Sequence, residues 1–242
     1  AEALGERVRT GITLQTITAE NGGWRVTWTG PGGTRRAERY RRLLITLPAH
    51  ALDTLPVEAR LREALAPLAD IPHPPVSVLS LGFRRADVRH PLDGFGALVP
   101  ECERRRILGV LFPSSVFPDR APEDHVLLTV FVGGTRQPEL AGSDAAALEA
   151  EVLPDLRELL GVERAPVFRH LRHWPRAIPQ YVLGYDRFLD QMNAIERGFP
   201  GLYLAGNYRT GISLSYCVEA ARKLPERLDN RSDSARGTSD LC

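Results

Sequence analysis

The residues best suited to do chemistry lie between positions 201 and 221, in the run Gly-Leu-Tyr-Leu-Ala-Gly-Asn-Tyr-Arg-Thr-Gly-Ile-Ser-Leu-Ser-Tyr-Cys-Val-Glu-Ala-Ala. Residues 202 to 205 are apolar and read as a strand that stops at Gly206, and a helix is predicted just after Gly211, from about 213 to 224. Glycines at such a joint let a ligand approach the backbone with no Cβ in the way. The helix start adds unpaired N–H donors and the positive end of a dipole, roughly half a charge. Together these suit an electron-rich or anionic group. A plain strand-to-helix turn fits the same residues, so spacing alone leaves both readings open.

Other chemistries find less support. His170 and His173 are three apart, but Trp174-Pro175 argues for extended chain, where such residues face opposite ways. With no HExxH and no CxxC spacing, no metal is expected. Ser114-Ser115 lacks a GxSxG context, and no GxxxxGK[ST] occurs. The formal net charge of +1 gives no broad case for nucleic acid, and the clusters Arg35-Arg36, Arg41-Arg42 and Arg104-Arg105-Arg106 read as solvated faces. The composition, 43% hydrophobic and 25% charged, is that of a soluble globular chain, with no apolar run of the ~18 residues that span a bilayer. Cys102, Cys217 and Cys242 are odd in number and widely spaced, which argues against a disulfide framework and for a reducing, cytoplasmic setting. The chain opens on Ala1 and its sole methionine is Met192, so it reads as a processed or partial piece of something longer.

Several elements would position the glycine unit. Ile12, Leu14 and Thr16 alternate with polar residues up to Asn21-Gly22-Gly23, and Trp24, Val26 and Trp28 alternate beyond it, which predicts a hairpin. The continuous apolar run at 43 to 47 predicts a strand buried on both faces. Ile71-Pro72-His73-Pro74-Pro75 reads as a linker. Strand-like segments follow at 76–83, 95–99, 107–112 and 126–132, as expected of an antiparallel sheet. A helix capped by Ser143 and ended by Gly161 carries an apolar face of Leu148, Val152, Leu156 and Leu159-Leu160, with Pro154 expected to kink or break it. A further strand is predicted at about 167 to 171.

Residues 204 to 217, Leu-Ala-Gly-Asn-Tyr-Arg-Thr-Gly-Ile-Ser-Leu-Ser-Tyr-Cys, resemble the C-terminal flavin motif of the protoporphyrinogen oxidase family, within the flavin-containing amine oxidases. Upstream, Gly94-Phe95-Gly96-Ala97-Leu98-Val99-Pro100, Ile107-Leu108-Gly109-Val110-Leu111-Phe112, Val116-Phe117-Pro118-Asp119-Arg120, Phe131-Val132-Gly133-Gly134 and His173-Trp174-Pro175-Arg176-Ala177-Ile178-Pro179-Gln180-Tyr181 follow that family's order. The resemblance covers most of residues 10 to 224 and corresponds to the C-terminal portion of such a protein.

It implies an α/β fold: a partial FAD-binding lobe, Rossmann-type and amine-oxidase-like, from residues 1–70 and 169–228, and a substrate lobe with an antiparallel sheet at 71–168. Residues 229–242, polar and poor in apolar anchors, are expected to form a disordered tail. The implied cofactor is FAD, contacted by Leu14, Trp174, Gly206, Asn207, Gly211, Ile212, Ser213 and Leu214. Leu98, Leu111 and Phe131 fall where the family packs the tetrapyrrole, although strand leucines and phenylalanines are also ordinary core residues. The implied reaction is oxidation of protoporphyrinogen IX or coproporphyrinogen III to the porphyrin, in haem biosynthesis, with oxygen as acceptor and no residue required as a catalytic base. The porphyrinogen is then the small-molecule partner, nucleic acid is not expected, and peripheral membrane contact and a homodimer are associations the resemblance allows. Two other readings stand beside this one. A different amine-oxidase or desaturase relative would want an aromatic cage, for which Tyr208 and Tyr216 lie near the turn. A non-catalytic fragment is the other, because no strand–GxGxxG–helix unit for the FAD pyrophosphate occurs.

Overall fold

Asn21 and Gly22 both take left-handed backbone angles (φ 46° and 76°), and this two-residue turn joins β1 (Thr13–Glu20) to β2 (Gly23–Thr29) with Glu20 opposite Gly23. Paired positive φ matches the twist of the flanking strands, which is why Asn-Gly is favoured there. β3 (Arg35–Tyr40) completes an antiparallel sheet of order β1-β2-β3. Trp24, Val26 and Trp28 alternate inward from β2 and are buried. β4 (Leu43–Ile45) and the helix α1 (Ala59–Leu65) follow.

The structure, a computed structural model, describes residues 2–234. The chain separates after Pro72, and His73–Ile178 form one unit while the residues before and after them form the other. In the central unit, β5 (Val76–Arg84), β6 (Gly96–Leu98), β7 (Ile107–Leu111), β8 (His125–Gly133) and β9 (Phe168–Trp174) build an antiparallel sheet of order β6-β7-β8-β5-β9. A single turn, α2 (Pro113–Val116), links β7 to β8, and α3 (Ala145–Leu160) joins β8 to β9.

One face of this sheet is covered. Leu79, Leu81, Leu128, Val130 and Val132 form a buried cluster with Leu148, Val152, Leu156 and Leu160, four apart along one side of α3. Each fully buried leucine or valine contributes about 1.5–3 kcal/mol relative to exposure. The N-cap of α3 is Asp144, not Ser143: its carboxylate accepts the N–H groups of Ala146 and Ala147, both at 2.9 Å. Nor does Pro154 end the helix, which runs through it to the left-handed Gly161. The carbonyl deprived of its donor belongs to Ala150, an exposed residue, so water can satisfy it.

The other unit resumes with α4 (Asp186–Gly198), β10 (Leu202–Leu204), the short α5 (Asn207–Thr210) and the long α6 (Leu214–Ser234). β10 pairs in parallel with β4, Leu202 to Leu204 opposite Leu43 to Ile45. Its core gathers Trp24, Trp28, Leu52, Leu61, Phe188, Met192 and Leu204.

Three boundaries differ from expectation. β4 is only three residues long and is not buried on both faces, since Leu44 and Leu47 are exposed. β9 belongs to the central sheet through its pairing with β5, so that unit ends at Ile178 and not at 168. The expected tail from 229 is helical as far as Ser234, the end of α6, and residues 235 to 242 lie outside those described.

Candidate functional site

The glycine unit folds as a strand, a hinge, one helical turn, a second hinge and a helix. Gly206 (φ 150°) and Gly211 (φ 126°) bracket α5 in conformations that disfavour side chains. A Cβ on Gly206 would stand 2.6 Å from the Tyr208 ring, and one on Gly211 would stand 2.9 Å from the Tyr216 ring. Both glycines are therefore needed for space as well as for backbone angle.

Two tyrosines hold this loop. The Tyr181 hydroxyl donates to the Asn207 carbonyl (2.7 Å) and accepts the Gly211 N–H (2.9 Å), bridging both ends of α5. Tyr185 stacks on Tyr181 with ring centroids 4.3 Å apart and donates to the next carbonyl, that of Tyr208. Burial raises the pKa of Tyr181, while its bond from the Gly211 N–H works the other way. Burial also pushes the Tyr208 hydroxyl up to about 12; that oxygen is buried and has no hydrogen-bond partner among the described residues.

A buried carboxylate supports the loop from below. Glu196 of α4 accepts the Leu204 N–H (2.8 Å) at the end of β10 and is bonded by Arg209 of α5 (3.1 Å). Arg227 of α6 reaches the same carboxylate. Arg209 also donates to Asn193 (2.8 Å), so one cluster pins α4, β10, α5 and α6 together.

Ser213 caps α6, its hydroxyl accepting the Tyr216 N–H (3.1 Å) and its carbonyl accepting the Cys217 N–H (3.1 Å). The N–H groups of Leu214 and Ser215 have no acceptor among the described residues. Around these donors stand Ile212 (43% exposed) and Leu214 (80% exposed), apolar side chains open to solvent. Free donors at a helix start, between apolar side chains, suit an electron-rich or anionic group with an apolar face. Alongside, a cavity of about 430 Å³ opens at the carboxyl ends of the parallel strands, lined by Leu44, Thr46, Ala205, Gly206 and Thr210 and closed by α6. Ligands of open parallel sheets bind at such carboxyl ends.

Gly206, Asn207, Gly211, Ile212, Ser213 and Leu214 are thus gathered in one loop. Leu14 is not: it lies on β1, half-buried against the core of the same unit. Trp174 belongs to the central unit, 46% exposed at the end of β9 with the Arg172 guanidinium 4.7 Å from its ring centre. Leu98, Leu111 and Phe131 share the face of the central sheet that α3 does not cover. Leu98 pairs with Gly109, Gly109 with Phe131, and Leu111 with Thr129. A Cβ on Gly109 would meet the Leu98 side chain at 3.2 Å, so the glycine lets Leu98 lie over its strand beside Phe131. Sequence reasoning gave no role to Tyr181, Tyr185 or Glu196; the one available signal was that Tyr181 closes a motif already singled out.

A family model for flavin-containing amine oxidoreductases matches residues 1–223. The mitochondrial protoporphyrinogen oxidase of Nicotiana tabacum is 40% identical over 156 residues, covering 63% of this chain and 31% of that protein. The chloroplastic protoporphyrinogen oxidase 1 of Arabidopsis thaliana is 31% identical over 240 residues, covering 94% and 44%. A crystal structure from Exiguobacterium, described as a protoporphyrinogen oxidase, superposes with a TM-score of 0.70 at 25% identity, over 90% of this chain and 46% of that one. A putrescine oxidase variant shares the fold (TM-score 0.66, 15% identity, 96% of this chain and 51% of that one). The chain thus spans less than half the length of these two plant relatives.

Proposed function

Because this chain belongs to the flavin-containing amine oxidoreductase family, we propose that it serves in the FAD-dependent oxidation of a porphyrinogen, protoporphyrinogen IX or coproporphyrinogen III, to the porphyrin. The observation that carries this reading is the 40% identity to a protoporphyrinogen oxidase across 156 residues, 63% of this chain. A bound FAD would supply the two-electron acceptor for each dehydrogenation and pass those electrons to oxygen. The chain's own part is to bind, orient and shield.

The residues fit the ring end of a flavin. The free N–H groups of Leu214 and Ser215 can donate to its pyrimidine edge, and the α6 dipole favours negative charge there. Ile212 and Leu214 would exclude water from the ring, and Tyr181 holds the loop that carries them. The phosphate end has no counterpart in this sequence: Gly22 and Gly32-Gly33 lie in short turns between strands, with no helix following.

On the central unit, Leu98, Leu111 and Phe131 offer an apolar shelf to a largely apolar macrocycle. No carboxylate or histidine of this chain is assigned as a base. Among the described residues no helix is long and apolar enough to cross a membrane. The test is anaerobic mixing of the FAD-loaded protein with protoporphyrinogen IX and with coproporphyrinogen III. Loss of the flavin's yellow absorbance with either supports the reading; an unchanged spectrum with both, or bleaching by putrescine alone, overturns it.

A further inference from the structure

The pairing register sets one straight row of residues across the open face of the central sheet: Leu98, Gly109, Phe131, Val78 and Arg172. Neighbouring strands lie about 4.8 Å apart, so Arg172 stands roughly 10 Å from Phe131 and roughly 19 Å from Leu98. The row is apolar for four strands and ends in a guanidinium.

That guanidinium is held without being neutralised. It lies 4.7 Å over the ring of Trp174, two residues on and hence on the same face. A contact with an aromatic ring is not an ion pair, so the charge stays available to an anion. No carboxylate pairs with Arg172 among the described residues. Arg169, on the same strand but on the α3 face, is paired with Glu149. The strand therefore carries one arginine whose charge is met inside the protein and one whose charge is not.

The geometry points to Arg172 as the residue that fixes a substrate carboxylate and so sets how an apolar tetrapyrrole lies across the sheet. This rests on the porphyrinogen reading given above. A porphyrinogen is a largely apolar macrocycle with carboxylate arms, two on one edge in protoporphyrinogen IX and one on each pyrrole in coproporphyrinogen III. Leu98, Leu111 and Phe131 can pack the ring but cannot distinguish its rotations, because dispersion contacts carry little direction. A fixed cation at one end of the row does distinguish them, and a guanidinium accepts a carboxylate through two parallel N–H bonds.

The test uses the full chain, titrated with protoporphyrin IX and with its dimethyl ester in the same detergent and followed by porphyrin fluorescence. Wild-type protein is expected to prefer the diacid. Arg172→Ala should weaken diacid binding about fivefold to tenfold, as for a pair covered by its own ligand, and leave the ester unchanged. Arg172→Lys should recover part of the loss, since it restores charge without the fork. If Arg172→Ala binds the diacid as wild type does, or loses diacid and ester equally, the assignment of Arg172 is wrong and the porphyrinogen reading stands. If neither porphyrin binds wild-type protein, that reading falls and Arg172 falls with it.

Discussion

Replacing Glu196 with glutamine isolates the electrostatic part of the support beneath the glycine loop. The side chain keeps its shape and one oxygen for the Leu204 N–H, but loses the charge shared by Arg209 and Arg227. The Glu196 side chain is fully buried, and those of Arg209 and Arg227 are 12% and 29% exposed. Removing one partner of a buried ion pair typically costs about 3–5 kcal/mol, because the other charge stays buried and unpaired. Two features reduce that figure here: Arg209 keeps its bond to Asn193, and Arg227 can turn toward water. The expected loss is therefore about 2–4 kcal/mol. It should be concentrated in the unit that contains Trp24 and Trp28, both buried there. In a Trp174→Phe background, urea unfolding followed by tryptophan fluorescence reports on that unit alone. A change below about 0.5 kcal/mol, the range of ordinary surface substitutions, would show that the Glu196 charge does not hold the loop. So would equal loss in the central unit, read from hydrogen exchange in β5 and β8.

Other outcomes follow from the same loop. Tyr208 binds its proton more tightly when folded, its pKa moving from 10.0 up to about 12. Its contribution is therefore complete below pH ~10 and is lost as the pH rises from about 10 to 12, by roughly 2–3 kcal/mol; Tyr208→Phe should flatten the alkaline limb of a pH–stability profile without loss at neutral pH, because the buried hydroxyl has no partner to lose. Tyr181→Phe should leave the unfolding midpoint nearly unchanged yet speed hydrogen exchange at the Gly211 amide, which loses its acceptor; unchanged exchange there would show that the tyrosine does not hold the loop. Gly206→Ala meets both a positive φ and the Tyr208 ring at 2.6 Å, so a loss of about 1–3 kcal/mol in thermal or urea unfolding is expected.

Much of the fold was legible because its signals are local. Asn21-Gly22 between two alternating runs determined the first hairpin, and apolar alternation located the strands of the central sheet, since both depend on neighbours in sequence. The strand–glycine–helix unit was readable for the same reason. The single turn α5 between its two glycines was not, because four residues are too few to show a period.

What stayed hidden depends on distant partners. The run at 43–47 is apolar except for Thr46, but a cavity lies beside Leu44, so one of its sides is open. β9, Phe-Arg-His-Leu-Arg-His-Trp, places its apolar residues every third position and so shows no buried face, since it is an edge strand and only Leu171 packs on the core. Glu196 reads as an ordinary helix charge until α5 and α6 bring their arginines to it. Tyr181 and Tyr185 reach the loop across more than twenty residues, a contact no spacing announces. The site residues suggested by family resemblance include six that share one loop and three that share one sheet face, whereas Leu14 is half-buried in a separate sheet.

The loop at 211–214 and the start of α6 are proposed to receive the ring of a flavin. Backbone amide NMR of the protein during titration with FAD tests this most directly. The largest shifts are predicted at Ile212, Leu214 and Ser215, whose N–H groups or side chains face the proposed site, and at the adjoining Gly211, and they should fade in Leu214→Asp. Saturable FAD binding with shifts confined to other segments, or no shifts at all at these amides, would contradict it.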